Sequence, residues 1–309
     1  MQKKAHVKAH IVNDRGALDK SVSVLTYLFF ILFALACAYP FYYILINTIS
    51  SNELSKRGVI LFYPMEIHFK NYADVFKLPD LMAAAKISVL RTVIGTFFTL
   101  LSTSFMAYMF TSEHMWKRKF WYRFVIATMY FNAGIIPWYL TMMNLGLTNN
   151  FWGYVLPTAV SPYFIILTKT FIESTPKELR EAADIDGAGT LRIYWQILLP
   201  VIKPILATVA IFSAVNQWNA FQDTLLLMTK QSLYPLQFVL YQYLQSANSI
   251  SSIVNNSSSS AAMSALAQTA SITSIRMTVT IVVVLPILTV YPIFQRFFVK
   301  GIMIGAVKG

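Results

Sequence analysis

The sequence predicts an all-α polytopic membrane protein with about six transmembrane helices. Of its 309 residues, 56% are apolar and 12% are charged, half of the roughly 25% charge found in soluble domains, and mean hydropathy is +0.55. Six apolar stretches are each long enough to cross about 30 Å of hydrocarbon, which takes roughly 20 helical residues. None breaks into the ~10-residue segments of alternating polarity that a membrane β-barrel requires. Aromatic residues at 15% exclude a disordered chain, which needs low hydrophobicity.

In chain order, the expected spans are 22–46, 83–110, 120–143, 151–172, 201–221 and 277–299. The first follows a charged leader, 1–21. Ala34-Leu35-Ala36-Cys37 has the look of a lipoprotein cleavage box, but the apolar run continues to Ile46, so an uncleaved first helix is expected. Pro40, Pro137, Pro157, Pro162, Pro286 and Pro292 lie in or near spans, and each removes a backbone donor and favours a kink.

The net charge of +12 has a topological reading. Lys and Arg gather in 1–20, 111–123, 169–203 and 296–309, which together hold 17 of the 25. By the positive-inside rule, both termini, including the 300–309 tail, and the 173–200 loop are expected in the cytoplasm. The outer loops are then about 47–82 and 223–276. A nucleic-acid footprint would instead need a basic patch on a folded domain.

Catalytic and metal chemistry has little to stand on. No phosphate loop of the Gly-x-x-x-x-Gly-Lys-Ser/Thr form occurs. His6, His10, His68 and His114 show no metal-ligand spacing, and Cys37 is alone. Paired catalytic carboxylates are missing, so the chain is expected not to be an enzyme. Lys86 and Lys169 sit where they can snorkel to headgroups. Arg91 is deeper and is expected to face a protein partner or an outer vestibule.

The least apolar cytoplasmic segment carries the most information. Thr175 and Glu178 have capping-box spacing and Pro176 suits a first helical turn, which predicts a short helix over 176–186 ended by Gly187. Thr190 is placed to cap a second helix over 191–199, stopped by Pro200. Leu179, Ala182, Ala183 and Asp186 share a face of the first helix, and the two alanines leave a shallow surface for another protein. By pattern alone the segment also fits a solvated amphipathic connector.

Glu181-Ala182-Ala183, Asp186-Gly187-Ala188, Ile197, Leu199-Pro200 and Pro204, taken in order, resemble the signature loop of binding-protein-dependent ABC importer permeases. That resemblance implies an importer-permease bundle whose loop is a coupling helix docking into an ATPase subunit through Glu181, Ala182, Ala183, Asp186, Gly187 and Pro200. The tail Gly301-Ile-Met-Ile-Gly-Ala-Val-Lys-Gly309 is similar to the ending of maltose-type carbohydrate-uptake permeases, which reaches into the ATPase dimer. Phe131 to Pro137, Leu145-Gly146-Leu147-Thr148, Gln217-Trp218-Asn219-Ala220 and Leu233 to Gln237 resemble the oligosaccharide/polysaccharide branch. Ala133, where that branch often has glycine, and the Ser/Asn-rich 249–262, read as a flexible external loop, depart from it.

The resemblance implies partners: a second permease forming a heterodimer, two ATPase subunits that bind ATP and Mg, and an extracytoplasmic solute-binding protein. No cofactor is expected in this chain. Sugars are held by hydrogen bonds to hydroxyls and by aromatic faces, so Asn132, Tyr163, Asn216, Gln217, Trp218 and Asn219 are candidates for an oligosaccharide pathway. The same amides and rings also serve as interhelical links and as an interfacial aromatic belt. A permease for a non-sugar solute and an ion-coupled secondary transporter are the alternatives. The second needs an essential intramembrane acid, and only Asp223, at a span end, comes near.

Overall fold

The computed structural model describes residues 17–176, 178–256 and 275–289, all helices and connections. The chain divides into two compact units, 1–68 and 69–309.

In the first unit, α1 (Ala17–Thr48) is a 32-residue helix whose apolar side chains from Val22 to Phe41 stand exposed, as lipid contact allows and water does not. Its last turn organises the return of the chain past α2 (Asn52–Lys56). Asn47 is 1% exposed. Its amide donates to the carbonyls of Tyr43 (2.9 Å) and Ile60 (3.3 Å), and its oxygen accepts from the Ser55 hydroxyl at 2.7 Å. The Tyr42 hydroxyl donates to the Phe62 carbonyl at 2.7 Å. One buried amide thus satisfies three groups that have no water available.

In the second unit, α3 (Lys70–Phe76) leads into α4 (Pro79–Thr111). The remaining helices are α5 (Arg118–Thr128), α6 (Ile135–Asn144), α7 (Trp152–Val155), α8 (Pro162–Glu173), α9 (Glu178–Ile185), α10 (Thr190–Arg192), α11 (Leu199–Val201), α12 (Lys203–Asn219), α13 (Gln222–Leu227), α14 (Leu236–Asn256) and α15 (Ile275–Thr289). α4 is the axis, packing along α12 and α8 and threading all three apolar clusters of the unit. Leu81 and Ala84 enter one with α14 and α15; Ile87, Ile94 and Phe98 pack on a second with Tyr154 and Leu227; Ala107 and Tyr108 enter a third. The C-terminus of α4 is closed by Arg118, whose guanidinium donates to the Thr111 carbonyl at 3.1 Å, a cation where the helix dipole favours one.

Two of the expected spans are continuous long helices, α1 and α4, and the 151–172 stretch is a bent pair. The expected 201–221 span corresponds to α12, joined to Thr190–Val201 across a sharper bend. The described helices thus give two spans, or up to four if each bent pair is one, against the six expected. The 151–172 stretch bends by 49° between Trp152–Thr158 and Pro162–Glu173. Pro162 has no N–H for the Thr158 carbonyl, and α4 makes up the loss: the Thr99 hydroxyl donates to Thr158 at 3.4 Å and that of Ser102 to Ala159. The 120–143 stretch is not one helix. α5 and α6 are separated at 129–134, where the Asn132 side chain accepts from the Gly134 N–H at 2.9 Å in a local turn. Such a turn competes with helix continuation. The sixth stretch is helical over Ile275–Thr289, its remainder lying outside the described residues.

The Ser/Asn-rich run expected as a flexible loop begins instead as helix, since α14 extends to Asn256. Residues 257–262, the 1–16 portion of the leader and the 301–309 tail lie outside the described residues.

Asn47→Ala would strand the Ser55 hydroxyl and the Ile60 carbonyl, at a cost of about 1–3 kcal/mol. Hydrogen–deuterium exchange of the purified protein should show faster exchange across 49–65; unchanged protection there would contradict the role given to Asn47.

Candidate functional site

Two constructions stand out along α4, one at its C-terminal end and one midway. At the C-terminal end, α8 leaves the bundle, α9 turns back, and a second short helical stretch leads into α12. The Thr175 hydroxyl donates backward to the Ile172 carbonyl at 2.6 Å. It therefore closes α8 and does not cap the next helix, and α9 spans Glu178–Ile185, shorter than the expected 176–186. Gly187 ends it as expected, at φ +73°. The N–H of Ala188 donates to the Ala183 carbonyl at 2.9 Å and that of Gly187 to Asp184 at 3.1 Å, the paired closure that a left-handed residue makes possible.

The second stretch differs from expectation in two respects. Gly189 occupies the N-cap position, and Thr190 is already helical. Pro200 does not stop the helix: Ile193–Leu198 widens into a π-helical turn, α11 continues through Pro200 to Val201, and the chain then bends by 81° at Ile202 into α12. Proline offers no N–H to the preceding turn, and a π turn is a usual accommodation of such a local mismatch.

Packing decides which residues of this handle face outward. Ala183 is 6% exposed and lies in a cluster with Ala107, Tyr108, Ile172, Tyr194, Leu198 and Ile205. The expectation that Ala182 and Ala183 form one open surface is therefore corrected: Ala183 faces the bundle, while Glu181, Ala182, Asp184, Asp186 and Gly187 face outward. Pro200 is exposed too. Tyr194 holds the base of the handle, its hydroxyl 2.7 Å from that of Ser104 on α4 and its ring stacked on Tyr108 at 5.8 Å. The residue missed in sequence is Ile185, 86% exposed between Asp184 and Asp186. An isoleucine flanked by two acids on a mostly polar helix was the available signal, because an exposed aliphatic side chain marks a contact surface.

Midway along α4, Arg91 is fully buried. Its guanidinium meets the Asp223 carboxylate at 2.6 Å, donates to the Ala220 carbonyl at 3.2 Å and to the Gln217 oxygen at 3.4 Å, and lies 4.3 Å over the ring of Tyr154. The Tyr154 hydroxyl donates to the Leu233 carbonyl at 2.8 Å. Gln217, 4% exposed, donates to the Thr158 hydroxyl at 2.7 Å. Gly95 makes room for it: a Cβ there would sit 2.5 Å from the Gln217 nitrogen. Arg91 thus faces this chain's own carboxylate and aromatic ring, not a partner or an open vestibule. A charge sealed from water requires such pairing.

The other pathway candidates separate by burial. Trp218 is half-buried, and its indole N–H donates to the Val283 carbonyl on α15 at 3.0 Å, an interhelical use like that of Gln217. Asn216 and Asn219 are exposed three residues apart on α12, Tyr163 is exposed at the start of α8, and Asn132 is exposed in the turn between α5 and α6. Among the described residues, no group of three or more His, Cys, Asp or Glu side chains is placed to hold a metal ion.

Residues 7–304 match the family described as binding-protein-dependent transport system inner membrane component, and the chain belongs to that family. It is 36% identical over 271 residues to Protein LplC of Bacillus subtilis, covering 87% of this chain and 89% of that protein. It is 31% identical over 293 residues to the polygalacturonan/rhamnogalacturonan transport system permease protein YtcP of the same organism, covering 94% and 99%. A crystal structure of a bacterial ABC transporter that imports the acidic polysaccharide alginate contains a chain of the same fold: TM-score 0.80, 28% identity, covering 92% of this chain and 98% of that one.

Replacing Asp223 alone by Leu leaves the Arg91 charge buried without its counter-ion and should cost about 3–5 kcal/mol. Arg91→Met combined with Asp223→Leu should recover much of that loss. Thermal unfolding of the purified complex tests this; a double variant as unstable as the sum of the singles would deny the pair its role.

Proposed function

We propose that this chain, on the premise of that membership, is one transmembrane half of an ABC importer that carries oligosaccharides across the cytoplasmic membrane. As an inner membrane component of a binding-protein-dependent system, it works with a solute-binding protein and with ATPase subunits. In this reading its permease partner is a second, different chain, and two ATPase subunits bind ATP and Mg. The charge asymmetry of the sequence supports placing both termini and the handle in the cytoplasm.

The observation that carries the reading is the handle itself. Glu181, Ala182, Asp186 and Gly187, with Ile185, form an outward surface for a cleft of the ATPase. Ala183 fixes that surface to the bundle, and Pro200 sits just before the bend into α12. Closure of the ATPase pair on ATP would move the handle as one piece, because Ala183 and Tyr194 share a packed cluster with α4, α8 and α12. Rigid-body rocking of packed elements is the expected response.

For the cargo, the names of the relatives and of the alginate importer support a saccharide over another solute. Asn216 and Asn219, with Asn132 and Tyr163, are the exposed groups that would meet sugar hydroxyls and ring faces, while Gln217 and Trp218 hold the helices that carry them. An ion-coupled mechanism has no support from Asp223, which is already committed to Arg91. Co-purification with partner subunits, followed by ATPase and uptake assays against a panel of oligosaccharides, tests the whole reading. Saccharide-stimulated hydrolysis is expected, and stimulation by a non-sugar solute alone would refute the cargo assignment.

Two substitutions address the handle. Proline cannot adopt φ +73°, so Gly187→Pro should unseat the end of α9, and Ala182→Trp should block docking while leaving the fold intact. Both should cut uptake by about tenfold or more, in the range of coupling free energies between sites, with the complex still assembled in the membrane. Wild-type uptake in Ala182→Trp would remove the docking assignment.

A further inference from the structure

At the opposite end of α4 from the handle, a groove of about 560 Å³ opens between the start of α4, the segment after α13 and the first turns of α14. That volume lies within the roughly 300–1,000 Å³ of small-molecule sites. Asp80, Gln231, Gln242, Gln245 and Ser246 supply polar groups, and Tyr241 and Tyr243 supply half-buried rings. The rings are rigidly backed. Tyr241 stacks on Phe221 at 5.0 Å and on Phe238 at 6.0 Å, and Phe238 meets Tyr234 edge-on at 4.6 Å.

The polar groups are oriented as well. Gln231 donates to the Asp80 carboxylate at 2.6 Å, and Gln245 donates to the Tyr241 hydroxyl at 3.0 Å. Burial first, and then the facing Asp80 charge, push the Tyr243 hydroxyl above its usual range. The first turn of α14 is tied to α4 by the Leu236 N–H, which donates to the Ser88 hydroxyl at 2.8 Å. Amides and hydroxyls beside a braced aromatic ladder are what saccharide recognition asks for.

We propose that this groove is a saccharide-binding subsite carried by the permease itself, and that it takes uncharged sugar units. The sign follows from the lining: among the described residues it has one carboxylate and no Lys or Arg. A uronate entering it would face a like charge within the roughly 8 Å over which salt fails to screen. The groove lies about 40 Å along α4 from Tyr108, at 1.5 Å of rise per residue, so it is separate from the handle. On the orientation proposed above it opens to the outside, where a binding protein releases its cargo, and the inference rests on that reading.

The test uses the assembled transporter in nanodiscs, without binding protein, and measures equilibrium binding of labelled maltohexaose, cellohexaose, mannohexaose and hexagalacturonate. At least one neutral hexasaccharide should bind, and hexagalacturonate should bind at least tenfold more weakly. Gln245→Ala and Gln242→Ala, both at exposed positions, should each weaken the neutral ligand by up to about tenfold, the loss of one or two hydrogen bonds. Asp80→Lys should shift preference toward hexagalacturonate. Failure of all three neutral sugars to bind, equal binding of the acidic one, or indifference to these variants would overturn the subsite. Sugar uptake by the wild-type complex, measured alongside with its binding protein, keeps the two readings apart. Uptake with an indifferent groove refutes only the groove, whereas absence of any saccharide uptake refutes the function from which it starts.

Discussion

A guanidinium sealed from solvent midway along a 33-residue apolar helix sets the terms for the rest of the second unit. Arg91 cannot be tolerated there without its counter-charge, and the structure brings Asp223, the Ala220 carbonyl, the Gln217 oxygen and the Tyr154 ring to it. These groups come from α13, the α12–α13 junction, α12 and α7, so one cation fixes four parts of the chain around α4. In a bundle where helix association has little hydrophobic drive, buried polar contacts of this kind set register. Gly95 allows the approach by leaving space for Gln217.

Around this fixed middle, the two ends of α4 are built differently. The C-terminal end holds the handle by apolar packing and one hydroxyl pair, Ser104 with Tyr194. Packed clusters transmit displacement because their interiors resist compression, which suits a lever. The N-terminal end presents polar groups and braced rings around an open volume, which suits a place where a ligand comes and goes. A single helix thus joins a mechanical end to a chemical one, with an electrostatic clamp between them.

The breaks in the helices are likewise arranged around α4. Pro162 leaves the carbonyls of the preceding turn without donors, and Thr99 and Ser102 supply them from the neighbouring helix. Pro200 is absorbed by a π turn before the bend at Ile202. Backbone polarity inside a membrane has to be satisfied within the protein, and hydroxyls spaced along an apolar helix do so without adding charge.

Much could be read from residue order alone. Apolar runs, cation asymmetry and the Gly187 terminator are local properties, since span length, charge and φ preference depend on a residue and its near neighbours. The order from Glu181 to Pro204 was enough to indicate the family, which the match over residues 7–304 shows. What residue order could not decide was which partner each polar group would take. Asn132 was spent on a local turn, Trp218 on Val283, and Gln217 on Thr158 and Arg91. Ala183 turned into the bundle while Ala182 stayed exposed, and Ile185 was left in the open. Arg91 and Asp223, separated by 132 residues, met only because the fold left each nowhere else to place its charge. Local preference is written residue by residue, whereas burial and pairing across such separations exist only once helices have packed.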